Sequence, residues 1–275
     1  MKAQGDFARL LVPWEPSLVV PLVLFATAAA YERGRKRIDT SWRDVACFWV
    51  GLIGFYAATF TGFDYYAEHA FFMHRLQHAV LHHLAPFLMV LSRPGQALLA
   101  GLPLGWASRL RRFGQWPPVQ GLLAFLNRPA IAVLLFTGLI AVWLIPGVHF
   151  VAMLDVRLYK LMNWGMAVNG LMFWGLVLNN FALRPCELPA SVRIMMLVAI
   201  VPPQIVIGLI LLMSPHDLYP VYSLCGRVFD LSPLADQQLG GVILWLSGAM
   251  MSVAGCILVM IQAATSRART GPVAP

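Results

Sequence analysis

Several uninterrupted apolar runs constrain this chain more than any other feature of its sequence. Residues 194–213 and 241–260 are each as long as the roughly 20 residues that a helix needs to cross the hydrocarbon of a bilayer. A backbone in lipid must satisfy its hydrogen bonds within its own segment, so runs of this length predict helices rather than barrel strands. The composition agrees, because 59% of the residues are hydrophobic and 12% are charged, against about a quarter charged in soluble domains. We therefore predict an all-α integral membrane protein.

Hydropathy predicts one membrane domain, residues 1–275, built as a bundle of about seven transmembrane helices. The predicted spans are 15–31, 45–62, 69–91, 129–145, 161–182, 193–213 and 239–263. Arginines and lysines collect in the segments that follow the odd-numbered spans, and basic segments of this kind stay in the cytoplasm. The N-terminus is therefore predicted to lie outside and the C-terminus in the cytoplasm.

The net charge of +8 does not indicate a nucleic-acid partner, because the basic residues lie in short clusters beside apolar runs, where they set topology. The four cysteines are widely separated and contain no CxxC pair, so no disulfide framework is indicated. The sequence also has no Walker-type loop, no GxSxG and no HExxH. We predict a protein without enzymatic activity whose surroundings are the lipid bilayer.

Histidines are concentrated in the third predicted span. Of the seven in the chain, five fall between His69 and His83. His74, His78 and His82 recur every four residues, so each advances about 40° around a helix and about 6 Å along it, and the three form one stripe. We call these three residues the histidine stripe. Ionisable groups inside a bilayer are costly and mark functional sites, although hydrogen bonding between helices is the alternative.

One metal ion cannot bind all three members of the stripe, because His74 and His82 are about 12 Å apart along the axis. A pair at i and i+4 can hold one ion. The sequence therefore predicts a half-site made of His74 with His78 or of His78 with His82, and the third histidine serves a second ion, a transfer step or a hydrogen bond. His69 and His83 lie off the stripe and are predicted to lie at the interface or to pack between helices.

Other polar residues accompany the stripe. Arg75 is predicted to extend to the outer interface or to pair with Asp64 or Glu68. The outer mouth of the seventh span carries three further polar candidates, with capping of a helix as the alternative for the first and two glycines after them that permit close helix approach. These candidates are Asp236, Gln237 and Gln238.

The segment HRLQHAVLHHLAPFLMVLSRP, residues 74–94, resembles the third-helix signature of CtaG-type (caa3-type) cytochrome c oxidase assembly factors. The segments DLYPVY, 217–222, and DQQLGGVILW, 236–245, resemble the same family. The resemblance implies a protein of the bacterial cytoplasmic (inner) membrane that helps to deliver copper to the oxidase. Carried over by position, the H-x-x-Q-H motif falls on His74, Gln77 and His78, the preceding acidic position on Asp64, and the DQQ motif on 236–238.

The chain departs from the family pattern at two places. Family members commonly carry Trp-His-x-Pro near the end of the fourth span, where this chain has Trp143, Leu144, Ile145 and Pro146. They often carry Glu-His at the start of the fifth span, where Met162 and Asn163 align. A methionine at this position would suit a mixed site biased towards copper(I), because thioethers select that ion.

These observations predict a copper-handling assembly factor with copper(I) as its ion and with an oxidase subunit and a copper donor protein as partners. A homodimer is left open. The predicted metal ligands are His74, His78, His82, Met162 and Asp64.

Two other functions fit the stripe. A haem-binding electron carrier needs an axial histidine from a second helix, and outside the third span only His149 and His216 remain, both predicted to lie in loops. A metal or proton transporter could use the stripe as a relay.

Overall fold

The structure is a computed structural model that describes residues 12–13, 18–180 and 188–270. These residues form α-helices and one π-helical turn, Ala79–Leu84. They contain an isolated bridge between Pro13 and Thr61 and no β-strand. The predicted all-α class is confirmed.

The helices are, in chain order, α1 (Val19–Arg35), α2 (Trp42–Phe60), α3 (Gly62–His69), α4 (Phe71–His78), α5 (Ala85–Leu91), α6 (Gly95–Gly101), α7 (Leu104–Gln115), α8 (Pro117–Leu126), α9 (Pro129–Trp143), α10 (Pro146–Leu154), α11 (Val156–Val177), α12 (Ala190–Ala199), α13 (Val201–Met213), α14 (Val221–Leu224) and α15 (Pro233–Thr270). The π-helical turn lies between α4 and α5.

Two stretches of helix are long and apolar enough to cross a membrane. They are Ala190–Met213, which joins α12 to α13, and Pro233–Ser266 in α15, and they correspond to the predicted sixth and seventh spans. A third qualifies if α8 and α9 form one span across the 73° bend between them. The count of seven spans and the orientation remain predictions, and the predicted span ends at 15 and 182 lie outside the described residues.

The predicted third span is a broken helix rather than a continuous one. Ala70 separates α3 from α4 with an extended backbone, φ −149° and ψ 131°. The π-helical turn then interrupts the α-helix between α4 and α5, and π-helical insertions of this kind are frequent at functional sites. Periodicity predicted one uniform stripe here, but the π turn changes the spacing after His78.

The broken helix lies in the centre of the fold, where α2, α11 and α15 pack against it. Two glycines permit this close approach. A Cβ on Gly170 of α11 would lie 2.5 Å from the carbonyl oxygen of His82. A Cβ on Gly240 of α15 would lie 2.4 Å from the ring of Phe71. The predicted close approach of the seventh helix at its glycines is confirmed.

Local signals explain where the helices beside the centre begin. Pro146 occupies the first turn of α10, where a missing backbone N–H has no cost. Asp155 ends α10 and caps α11, because its carboxylate accepts hydrogen bonds from the backbone N–H groups of Arg157 (2.7 Å) and Leu158 (3.2 Å). These two starts place His149 and Tyr159 next to α4.

Candidate functional site

The start of α4 is held by a residue from another helix. Ala70 has no side chain that could cap α4, and the carboxylate of Asp236 on α15 accepts hydrogen bonds from the backbone N–H groups of Phe71 (3.1 Å) and Phe72 (2.8 Å) instead. Arg227 donates to the same carboxylate at 2.8 Å. Asp236 therefore caps a helix, as its alternative interpretation held, but the helix is α4 and not its own.

His74 and His78 lie on successive turns of α4 with ring centroids 4.4 Å apart. Both side chains are buried, and neither ring nitrogen of His74 satisfies hydrogen-bond geometry with a partner. Of the two half-sites that the sequence left open, the structure brings the rings of His74 and His78 together. The backbone of Ala67 lies close to this ring, and at least one buried nitrogen remains available to a ligand that the chain itself does not supply.

The second ring next to His74 belongs to His149, 5.1 Å away between centroids. The prediction that His149 lies in a loop is wrong, because it lies in α10 and is fully buried. Its Nδ1–H donates to the carbonyl of Trp143 (3.0 Å), since a carbonyl can only accept, and its Nε2 therefore accepts from the hydroxyl of Tyr222 (2.9 Å). Pro146 is the sequence signal that could have identified a new helix here.

The His78 ring is fixed from two sides. Its Nδ1 lies 3.4 Å from Nη2 of Arg75, which can only donate, so Nδ1 accepts and the proton of the neutral ring is on Nε2. Nε2–H donates to the side-chain oxygen of Asn163 on α11 at 3.1 Å. Hydrogen bonds of this kind set the tautomer and orientation of imidazoles that bind metals. Asn163 stands where the family resemblance would have placed a histidine.

A second polar group lies beside the histidine pair and joins four helices. Asp64 on α3 is buried, and its carboxylate accepts from the side-chain amide of Gln77 (2.6 Å) and the hydroxyl of Tyr159 (2.7 Å). Gln77 also donates to the carbonyl of Ala58 at 2.6 Å. The ring of Tyr159 lies 6.0 Å from that of His74. Asp64 and Gln77 thus connect α2, α3, α4 and α11 next to the pair.

The remaining predicted residues of the DQQ motif hold the C-terminal end of α13. Gln237 accepts from the backbone N–H of Leu218 (2.7 Å) and donates to the carbonyl of Leu211 (3.0 Å). Gln238 donates to the carbonyl of Leu212 (3.2 Å). These hydrogen bonds join the two side chains to backbone groups of α13 and the following loop.

Met162 lies on the face of α11 that is turned towards the histidines. It is fully buried and stands one turn after Tyr159 and directly before Asn163, which contact the rings of His74 and His78 respectively. Met166, one turn further along, lines a cavity together with His78. Two buried methionines therefore lie on the helix whose Tyr159 and Asn163 side chains adjoin His74 and His78.

His82 and His83 form a separate pair in the π-helical turn, with ring centroids 5.3 Å apart. The ring of His82 stacks on Phe136 at 3.9 Å, and its Nε2 is bonded to the amide of Asn169 at 2.9 Å. The Nδ1 atoms of both histidines are buried without a hydrogen-bond partner. His83, predicted to lie at the interface or to pack between helices, is buried between helices.

Within residues 12–13, 18–180 and 188–270, no group of three or more His, Cys, Asp or Glu side chains has the arrangement of a metal site. The chain offers a pair of imidazoles, His74 and His78, with His149 beside them. A third ligand would be a thioether or would come from a partner.

The profile of one family, described as cytochrome c oxidase caa3 assembly factor (Caa3_CtaG), matches residues 23–266. The curated proteins and the solved structures give no match. The matched range contains every site residue described above.

Proposed function

The chain belongs to the cytochrome c oxidase caa3 assembly factors, and from this premise we propose that it handles copper while the oxidase is assembled. His74 and His78 bind the ion, which is cargo to be passed on and not a resident cofactor. The protein works without catalysis in the bacterial cytoplasmic membrane, which it crosses about seven times with its N-terminus outside.

The single observation that carries this proposal is the state of His74. Its ring is fully buried, at least one ring nitrogen lacks a hydrogen-bond partner, and the centroid of a second imidazole lies 4.4 Å away. A buried polar atom without a hydrogen bond costs about 1–3 kcal/mol. A metal ion bound to one nitrogen would offset part of that cost. His78 on the next helical turn would supply the second ligand through Nδ1 once Arg75 releases that atom.

Copper(I) suits these surroundings better than harder ions do. Imidazole nitrogen binds copper, zinc, iron and nickel, whereas thioether sulfur selects copper(I). Met162 and Met166 present sulfur on the face of α11 that packs against the histidines. We propose that Met162 completes or relays the site, which is its predicted role.

A half-site of two histidines fits a protein that must release its ion. Fewer ligands hold an ion less tightly than a complete coordination sphere, so a copper donor protein can load the pair and an oxidase subunit can remove the ion. Asp64, bonded to Gln77 and Tyr159, would orient the helices around the pair rather than bind copper.

His82 is proposed as the relay position. Asn169 holds its Nε2, and Nδ1 is buried without a partner. An ion leaving His78 would therefore meet an oriented imidazole about one helical turn further along the chain.

The direct test is the copper content of purified protein. Wild-type protein and the double variant His74→Ala/His78→Ala are loaded with copper(I) under reducing conditions, desalted and measured by elemental analysis. The wild type should retain copper and the double variant should lose most of it. His216→Ala is the matched control, because His216 is an exposed histidine in the loop after α13.

Equal copper in the double variant and the wild type would contradict the proposal. A Soret band in the visible spectrum of the purified protein would also contradict it and would favour haem.

A further inference from the structure

Arg75 is the most unusual charge in the described part of the chain. It lies on α4 directly after His74, and 2% of its surface is exposed. Its guanidinium contacts the Nδ1 of His78 at 3.4 Å and lies 5.2 Å from the centre of the Phe71 ring. Nε has no hydrogen-bond partner.

The predicted ion pair between Arg75 and Asp64 or Glu68 is not formed. The described residues place Asp64 against Gln77 and Tyr159, and none of their carboxylates forms an ion pair with Arg75. The side chain does not reach the outer surface either, because it is buried.

An arginine remains charged in a protein, so Arg75 cannot lower the cost of its burial by losing a proton. One weak hydrogen bond to a neutral imidazole and one aromatic ring do not neutralise a guanidinium that has five N–H donors. Buried charges are normally paired. A counter-charge from outside the chain would resolve this arrangement.

The structure also provides space for such a counter-charge. A small cavity lies between the broken helix, α9, α11 and α15 and has room for about one water-sized species. Its lining includes Arg75, His78, His82, His83 and Met166. A space of this size excludes a carboxylate-bearing metabolite and limits the occupant to one small ion or one water molecule.

We propose that this cavity binds one small monovalent anion of the size of chloride, held by the guanidinium of Arg75. The guanidinium contributes the charge. A ring N–H of His83, whose Nδ1 is buried without a partner, can contribute a further donor. A water molecule would fill the same space but would leave the charge of Arg75 uncompensated.

This anion site does not depend on copper binding, although the two would interact. The bond from Arg75 occupies the Nδ1 lone pair of His78. An anion that draws the guanidinium into the cavity would release that lone pair and would balance the charge of an ion bound to His74 and His78.

The test uses the purified full-length protein in detergent without added copper. Thermal unfolding is recorded in sodium gluconate, whose anion is too large for the cavity, while bromide replaces gluconate at constant ionic strength. The midpoint of wild-type protein should rise with the logarithm of the bromide concentration above the dissociation constant. Arg75→Gln should show no such rise and should be at least as stable as the wild type in gluconate alone, because the uncompensated charge is gone.

Arg157→Gln is the matched control, because Arg157 is an exposed arginine, and it should respond to bromide as the wild type does. Arg75→Lys keeps the charge and should keep a weaker response, which covers the case in which Arg75→Gln does not fold. Anomalous scattering at the bromine edge from crystals grown in bromide should place one ion next to Arg75. The proposal is overturned if Arg75→Gln and the wild type respond equally, or if the crystals contain no bromide in the cavity.

Discussion

The imidazole rings of His74 and His149 lie 5.1 Å apart and nearly perpendicular, at 86°. His149 is bonded through both nitrogens, to the Trp143 carbonyl and the Tyr222 hydroxyl, whereas neither nitrogen of His74 forms a well-aligned hydrogen bond. The fixed ring of His149 therefore limits the positions that the ring of His74 can adopt.

The first prediction concerns the contact between the rings of His149 and His74. Replacing His149 with alanine should weaken copper(I) binding about tenfold, the lower end of what loss of an orienting residue costs at metal sites. His149→Gln keeps hydrogen-bonding groups near Tyr222 and should lose less. Affinity is measured by competition with a coloured copper(I) chelator, with His216→Ala as control. An unchanged affinity in His149→Ala would show that the His149 ring does not influence copper(I) binding.

The second prediction separates the two histidine pairs. Asn163→Leu removes the acceptor that fixes His78, and Asn169→Leu removes the one that fixes His82. If His74 and His78 hold the ion, the first change should weaken copper(I) binding about tenfold and the second should leave the affinity within a factor of two or so. The same chelator competition measures both variants. The opposite order would move the primary site to the π-helical turn.

The third prediction concerns the cap that Asp236 provides for α4. Asp236→Ala removes the acceptor for two backbone N–H groups and for Arg227, and it should lower the free energy of unfolding by about 2 kcal/mol. Asp236→Asn retains one carbonyl oxygen and should lose less.

Thermal unfolding in detergent provides the comparison, and Asp230→Ala serves as control because Asp230 is an exposed carboxylate in the preceding loop. If Asp236→Ala and Asp230→Ala unfold alike, the cap does not stabilise the broken helix.

The sequence predicted the pair His74 and His78 because spacing by four is a local property of any helix. It could not predict His149 as the neighbour of His74, because that contact depends on a separate helix and on the way α10 packs against α4. Local sequence also cannot predict that Asp236 caps α4, because the acceptor and the donors lie on helices far apart in the chain.

The break at Ala70 and the π-helical turn limited the prediction in another way. Hydrophobic periodicity treats the third span as a uniform helix, and the extra residue in a π turn changes the register without changing the composition. The π turn begins after His78, so it changes the positions of His82 and His83 relative to the predicted stripe. Arg75 lies before that turn, in α4, and lines the cavity instead of pairing with Asp64.

The fourth prediction tests the orientation in the membrane. Cys225 is exposed in the segment between α13 and α15, which the predicted topology places outside. A membrane-impermeant maleimide added to intact spheroplasts should therefore label it. Desolvation and the nearby Glu68 carboxylate raise the pKa of the Cys225 thiol, so the thiolate is scarcer and labelling should be faster at mildly alkaline pH than at neutral pH.

Cys225→Ser should lose this labelling. Labelling that appears only after the membrane is permeabilised would place this segment in the cytoplasm and reverse the predicted orientation.

The most direct measurement of the central claim is a crystal structure of copper(I)-loaded protein with anomalous diffraction collected at the copper edge. The account predicts one anomalous peak between the rings of His74 and His78, and no peak at that position in the double variant His74→Ala/His78→Ala. A copper peak elsewhere, with both rings still free of metal, would contradict it.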